Sequence, residues 1–255
     1  MTILNNTLLI GKVFHHFESL DSTNTYALDL ASKSRPAEGA LIMADFQSAG
    51  RGQFGRTWES AHAENLMISV ILYPTFLPAD RQFCLNQAVS LGVYETLAAY
   101  PLSDVAIKWP NDLYVGDRKI GGMLIQNVLR GRHLETSVIG IGLNINQGEF
   151  ARHLDRATSL RMETGQQFDR FEVLSKLAKN LEVHYLALRA GKQEELQSKY
   201  LSKLKYYNIW QRYQDTNGKQ FMGKIIGVEP DGRLLVEMDN SETRSFVFQE
   251  IAVVF

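Results

Sequence analysis

The run from Asp45 to Trp58, Asp-Phe-Gln-Ser-Ala-Gly-Arg-Gly-Gln-Phe-Gly-Arg-Thr-Trp, gathers more chemical capability than any other stretch of the chain. Gly50, Gly52 and Gly55 let the main chain take positive φ or come close to a ligand, so that amide N–H groups face anionic oxygens. Arg51 and Arg56 add permanent charge and forked donors suited to a carboxylate or phosphate. Trp58 offers a flat face for a planar ring. The spacing is neither the dinucleotide-binding fingerprint nor a Walker loop, since no Gly-Lys-Ser/Thr follows. Alone, the run also fits a surface turn ending on a core tryptophan.

Three other stretches carry polar groups in telling places. Lys108 stands in Ile107-Lys108-Trp109-Pro110-Asn111-Asp112, an apolar, strand-like context, and lysine is rarely buried without a partner. Ser22, Thr23 and Asn24 are helix-capping types, and capping alone is sufficient reason for them. In Gly140-Ile141-Gly142-Leu143-Asn144 the glycines admit a ligand against the main chain, or else close packing or a bulge. Other chemistries lack their residues: there is no His-Glu-x-x-His pair, no Gly-x-Ser-x-Gly elbow, and a single cysteine, Cys84. What remains is charge and positioning, suited to an anionic substrate and a phosphate-bearing partner.

These residues need a scaffold, and periodicity supplies one. Phe14 to Leu20 reads as a strand running into a short helix with Tyr26, Leu28 and Leu30. The glycine run lies between an Ala40–Ala44 strand and a second at Leu66–Tyr73. Arg81 to Tyr100 is a long amphipathic helix that buries Cys84 and Ala88. Val105 to Val115 precedes a Gly116-Asp117 hairpin turn, a return strand from Lys119 toward Asn127, a turn at Gly131 and a strand over Ser137–Ile145. Asp155 to Gly165 reads as connecting structure, and Phe168 to Leu204 as helix broken near Gly191. From Trp210, short strands alternate with turn signals at Asn217-Gly218, Gly223, Asp231-Gly232 and Asp239-Asn240, which suits a small SH3-like β-barrel.

The 255 residues suffice for one large domain and a small one, here 1–208 and 209–255. A net charge of −1 gives no general attraction to nucleic acid or an acidic membrane. Leu8-Leu9-Ile10 lacks the basic segment and length of a signal peptide, and no window is long enough to span a bilayer. With one cysteine, the cytoplasm is the expected compartment.

Four runs in this order resemble the biotin protein ligases: Ser22-Thr23-Asn24, Gln47 to Trp58, Lys108-Trp109-Pro110-Asn111-Asp112, and Gly140 to Asn144, with Lys119-Ile120-Gly121-Gly122 also fitting. The resemblance implies an α+β catalytic domain, a mixed sheet flanked by helices of the class II synthetase-like kind, with an SH3-like module behind it. It implies two half-reactions: the biotin carboxylate attacks the α-phosphate of Mg2+-ATP, and a lysine of a biotin carboxyl carrier protein then attacks the resulting biotinyl-5′-AMP. By the same resemblance Ser22, Thr23, Asn24, Gln47, Gly50, Arg51, Gly52, Gln53 and Lys108 bind biotin. Arg56, Trp58, Lys108, Gly142 and Asn144 bind ATP or the adenylate, and Lys108 and Arg51 act on the reacting groups. Gln53 stands where many members carry a basic residue. The DNA-binding domain of bifunctional members has no counterpart, so a ligase-only type without a DNA partner is expected. A homodimer is allowed, since bacterial members often dimerise through sheet edges. The related readings are a lipoate-type ligase or acyltransferase and a non-catalytic biotin sensor.

Overall fold

The computed structural model describes residues 6–254. Strand β1 (Phe14–Leu20) ends at Asp21, and Ser22 caps helix α1 (Thr23–Ser34) by accepting from the Thr25 N–H at 3.4 Å. That helix carries the chain over so that β2 (Leu41–Gln47) lies parallel to β1. Next come β3 (Leu66–Leu72), helix α2 (Phe83–Ala98), β4 (Val105–Lys108), β5 (Asp112–Val115), β6 (Arg118–Arg130) and β7 (His133–Leu143). They complete a seven-stranded mixed sheet in the order β1-β2-β3-β7-β6-β5-β4. Helices α3 (Leu160–Thr164), α4 (Arg170–Arg189) and α5 (Gln193–Lys203) follow.

Strand alternation sorts the side chains between two layers. Leu41, Met43, Ile68 and Val70 join Leu85, Val89, Leu174 and Leu177 of α2 and α4 in the main core. Each such residue fully buried contributes about 1.5–3 kcal/mol. Helices α2 and α4 approach so closely at Gly92 that a Cβ there would lie 2.9 Å from Leu181 Cα. On the opposite face Ile42, Ile71 and Val138 pack with Ala27 of α1. Helix α1 covers only part of that face. The same alternation continues to Met67 and Ser69 in β3, Gly140 and Gly142 in β7, and Gly122 and Leu124 in β6, which the registers place side by side.

The chain ends in β8 (Trp210–Asp215), β9 (Gln220–Val228), β10 (Leu234–Met238), β11 (Thr243–Phe246) and β12 (Ile251–Val253). These form an antiparallel sheet in the order β11-β10-β9-β8-β12. The expected barrel is therefore an SH3-like sheet that stays open: β11 and β12 are its unpaired edges, only four and three residues long.

Three further expectations change. Residues 105–115 are two antiparallel strands, because the turn at Trp109–Pro110 reverses the chain and Lys108 pairs with Asp112. Gly223 is not a turn but lies inside β9, where a Cβ would be 2.6 Å from Val236 Cγ1. The connecting stretch before Gly165 contains α3, capped by Ser159 accepting from the Met162 N–H at 3.1 Å. Among the described residues no helix is long and apolar enough to cross a membrane.

Candidate active site

The uncovered part of the α1 face is the floor of a cavity of about 320 Å³. The registers set Gly122 opposite Gly142 and Gly140 opposite Ser69, so the main chain is bare where three strands meet. A Cβ on Gly140 would come within 2.7 Å of Asn24 Oδ1, and one on Gly142 within 2.4 Å of the Trp58 ring. Here glycine is required for close approach, not for turning.

At one end the first turn of α1 faces this floor. Thr23 N–H donates to Gln47 Oε1 at 2.7 Å. Asn24 Nδ2 donates to the Leu124 carbonyl at 3.2 Å and to Gln126 Oε1 at 3.1 Å. Ser69 Oγ lies 2.9 Å from both Thr23 Oγ1 and Asn24 Oδ1. Its single proton goes to the Asn24 carbonyl, so it accepts from Thr23. Ser22, Thr23 and Asn24 are all buried, held by this network as well as by capping. Helix α1 also turns its positive end this way, which favours a negative group nearby.

The glycine loop overhangs the floor. Trp58 N–H donates to the Gly50 carbonyl at 2.9 Å, and Gly52 N–H to the Arg56 carbonyl at 2.7 Å. Arg51 bridges to Thr57, and Gln53–Gly55 make a 3-10 turn at the tip. Gly50 and Gly52 do not take positive φ; Gly55 (φ 75°) and Phe54 (φ 54°) do. Gly50 instead closes the neck, where a Cβ would be 2.3 Å from the Trp58 carbonyl oxygen. Arg51 and Arg56 are exposed along the cavity and have no ion-pair partner among the described residues.

At the far end Asn144 Nδ2 donates to the Thr158 carbonyl at 2.9 Å, and its Oδ1 is buried without a partner. Trp58 Nε1 and Gln53 Oε1 are buried and unpartnered as well. Three such atoms around one cavity are a costly arrangement that a ligand with complementary groups would relieve.

Of the thirteen residues singled out from sequence, eleven line the cavity. Gly50 and Lys108 do not. Lys108 stands behind Tyr114, its Nζ 3.5 Å from the hydroxyl and 4.9 Å from the ring centroid, and Tyr114 is in the wall. Burial holds the Lys108 ammonium below the ordinary lysine range, against the pull of Asp112. Burial likewise pushes the Tyr114 hydroxyl up to about 12, so it keeps its proton. Asn111, just after the Trp109–Pro110 turn, anchors it by donating to the Met123 carbonyl.

The structure adds wall residues to which the sequence assigned no role. Lys119 lines the cavity and pairs with Asp112 at 2.7 Å, its Nζ 5.8 Å from the Trp58 centroid. Ser69 is a lone serine in an apolar strand, a signal legible in the sequence. Phe248 reaches the cavity from the C-terminal sheet, and nothing local marks it.

A sequence profile of the biotin/lipoate A/B protein ligase family matches residues 16–144, the span that holds the floor, the loop and both lysines. The chain belongs to that family. A bifunctional ligase/repressor BirA of Bacillus spizizenii is 30% identical over 234 residues, covering 91% of this chain and 71% of the relative. A biotin–[acetyl-CoA-carboxylase] ligase of Mycobacterium tuberculosis is 26% identical over 220 residues, 85% of this chain and 80% of the relative. Among solved structures, a biotin protein ligase from Aquifex aeolicus in complex with biotin and ATP superposes with a TM-score of 0.78. It is 27% identical and covers 95% of this chain and 99% of that one. Within the biotin/lipoate ligase fold, then, the cavity lies on the open part of the α1 face.

Proposed function

We propose that the chain is an ATP-dependent biotin protein ligase that forms biotinyl-5′-AMP and passes the biotinyl group to a lysine of a biotin carboxyl carrier protein. One observation carries the reading: a cavity with a hydrogen-bonded polar rim at one end, two uncommitted guanidinium groups above its middle, and unpartnered Trp58 and Asn144 atoms at the other.

Ser22, Thr23, Asn24 and Gln47 meet the ureido ring of biotin, whose two N–H donors and one carbonyl need paired partners. A polar rim of this kind discriminates strongly against analogues that lack those groups. The adenine stacks on Trp58, and the Asn144 Oδ1 accepts from its amine. Arg51 with the Gly50–Gly52 amides covers the biotin carboxylate and α-phosphate, Gln53 flanks them, and Arg56 lies toward the remaining phosphates. Magnesium enters bound to the phosphates, as is usual for the nucleotide.

In the first step a biotin carboxylate oxygen bonds to the α-phosphorus while the bond to the bridging pyrophosphate oxygen breaks. Lys108 turns its ammonium from Tyr114 toward the α-phosphoryl group and offsets the charge that builds there. In the second step the carrier amine adds to the biotinyl carbonyl and AMP departs, the amine losing its proton. We assign residues 1–208 to the catalytic unit and 209–255 to a brace for it.

Biotin-dependent exchange of labelled pyrophosphate into ATP tests the first step. Exchange with biotin and no competition by lipoate supports the assignment. Exchange with lipoate alone would place the chain on the lipoate branch of its family.

A further inference from the structure

The tip of the glycine loop is built from residues that hold it poorly on their own. Phe54 sits at φ 54°, ψ 40°, a left-handed conformation uncommon for a bulky residue, and the residue is 64% exposed. The base of the loop is tied to the end of β1, Ser48 N–H donating to the Leu20 carbonyl and Ala49 N–H to that of Asp21, but from Gly50 to Trp58 the backbone hydrogen bonds run within the loop. The Phe54 ring, however, is stacked on Phe248, with centroids 4.9 Å apart and an interplanar angle of 25°.

Phe248 comes from the β11–β12 turn of the C-terminal sheet. That turn is tight: Val247 N–H donates to Glu250 Oε2 at 2.8 Å, and Glu250 N–H to the Val247 carbonyl at 3.1 Å. The other side of Phe248 meets Trp109 edge-on, with centroids 5.8 Å apart. Trp109 Nε1 donates to the Gly232 carbonyl at 2.9 Å. Gly232, at φ 101°, abuts Phe83 of α2 so closely that a Cβ would be 2.7 Å from the ring. One line of contacts therefore joins the loop tip to the C-terminal sheet, to the turn after Lys108 and to α2.

We infer that Phe248 is a positioning residue: it holds the glycine loop over the cavity through Phe54, so that the C-terminal sheet governs how long the adenylate is retained. The retention part rests on the ligase reading; the hold on the loop does not. Phe54 and Phe248 share one contact, so removing either ring should have the same consequence as removing both.

Two measurements test this. Arg51 and Arg56 are exposed cleavage sites for trypsin in the ligand-free protein. Phe248→Ala and Phe54→Ala should each speed cleavage there by about three- to tenfold, the range expected for one aromatic pair, with the double variant no faster than either. Phe248→Tyr should restore the wild-type rate. Adenylate formed on the protein and freed of excess nucleotide should leave the alanine variants faster by a similar factor, and Phe248→Tyr should restore its retention. An unchanged cleavage rate in both alanine variants, or single effects that multiply in the double variant, would overturn the proposal. Failure of the wild-type chain to form adenylate, with the cleavage pattern as expected, would overturn the ligase reading and the retention role together, and leave the loop contact standing.

Discussion

On the floor of the cavity, Ser69, Thr23 and Asn24 are almost inaccessible to solvent, and the opposing glycines are fixed by strand register. In the loop above, Arg51, Phe54 and Arg56 are exposed, and shape depends on a few internal hydrogen bonds and one ring contact. The floor can discriminate because its groups are already in place, and a misfit leaves buried polar atoms unpaired. The loop can admit and release substrate because little is lost when it moves. Recognition is thus assigned to the buried wall, and retention to the exposed one.

The largest effect should come from a residue in neither, Lys108 behind the Tyr114 wall. Lys108→Ala should slow adenylate formation by about 10²- to 10³-fold, the scale of a lost charge-stabilising donor, with little change in Tm. Pyrophosphate exchange reads it, and near-normal turnover would move the role to Lys119. On the floor, Ser69→Ala leaves Thr23 and Asn24 each short of a partner and should raise the KM for biotin by about tenfold, with kcat little altered. A rise in the KM for ATP instead would contradict the division of the cavity. Gly142→Ala sets a methyl against the Trp58 ring and should raise the KM for ATP at least about fivefold, the scale of an overpacked contact, with biotin binding spared.

Smaller effects sharpen the picture. Trp109→Phe keeps a ring but loses the bond to the Gly232 carbonyl, about 1 kcal/mol. Calorimetry should show Tm lower by about 2–4 °C in a chain of this size. The Lys108 charge can also be removed by pH. Burial lowers the Lys108 pKa, so the ammonium is lost as pH rises through a value below the 10.5 of an ordinary lysine. The kcat/KM for adenylate formation should fall at that point, and Lys108→Arg should abolish the fall. Stability runs the other way: between the folded and unfolded pKa values the unfolded chain holds more protons, so the burial penalty is relieved as pH rises.

Much of this was legible in the sequence because it is local. Apolar runs located β2 and β3, strand-like stretches β1 and β7, the capping types at Ser22 marked the start of α1, and glycine spacing marked the loop. Other features depend on contacts distant in the chain. Nothing near Phe248 announces a ring that reaches residue 54; the Asp112–Lys119 pair spans the hairpin expected at Gly116-Asp117, but its register carries an irregularity between Leu113 and Tyr114. The glycines of the loop were legible as glycines but not for their reason: Gly50 is needed beneath the Trp58 carbonyl, not for positive φ. Lys108 was legible as unusual, and its place behind Tyr114 follows from a chain reversal at Trp109–Pro110 that an apolar run conceals.

If the cavity is a biotin ligase site, it joins a carboxylate to a nucleotide and then to an amine. The purified chain, incubated with biotin, Mg2+-ATP and a carrier domain, should raise the carrier's mass by one biotinyl group, and omission of ATP should prevent it. A carrier of unchanged mass, from a preparation that nevertheless binds biotin and ATP, would contradict the ligase reading.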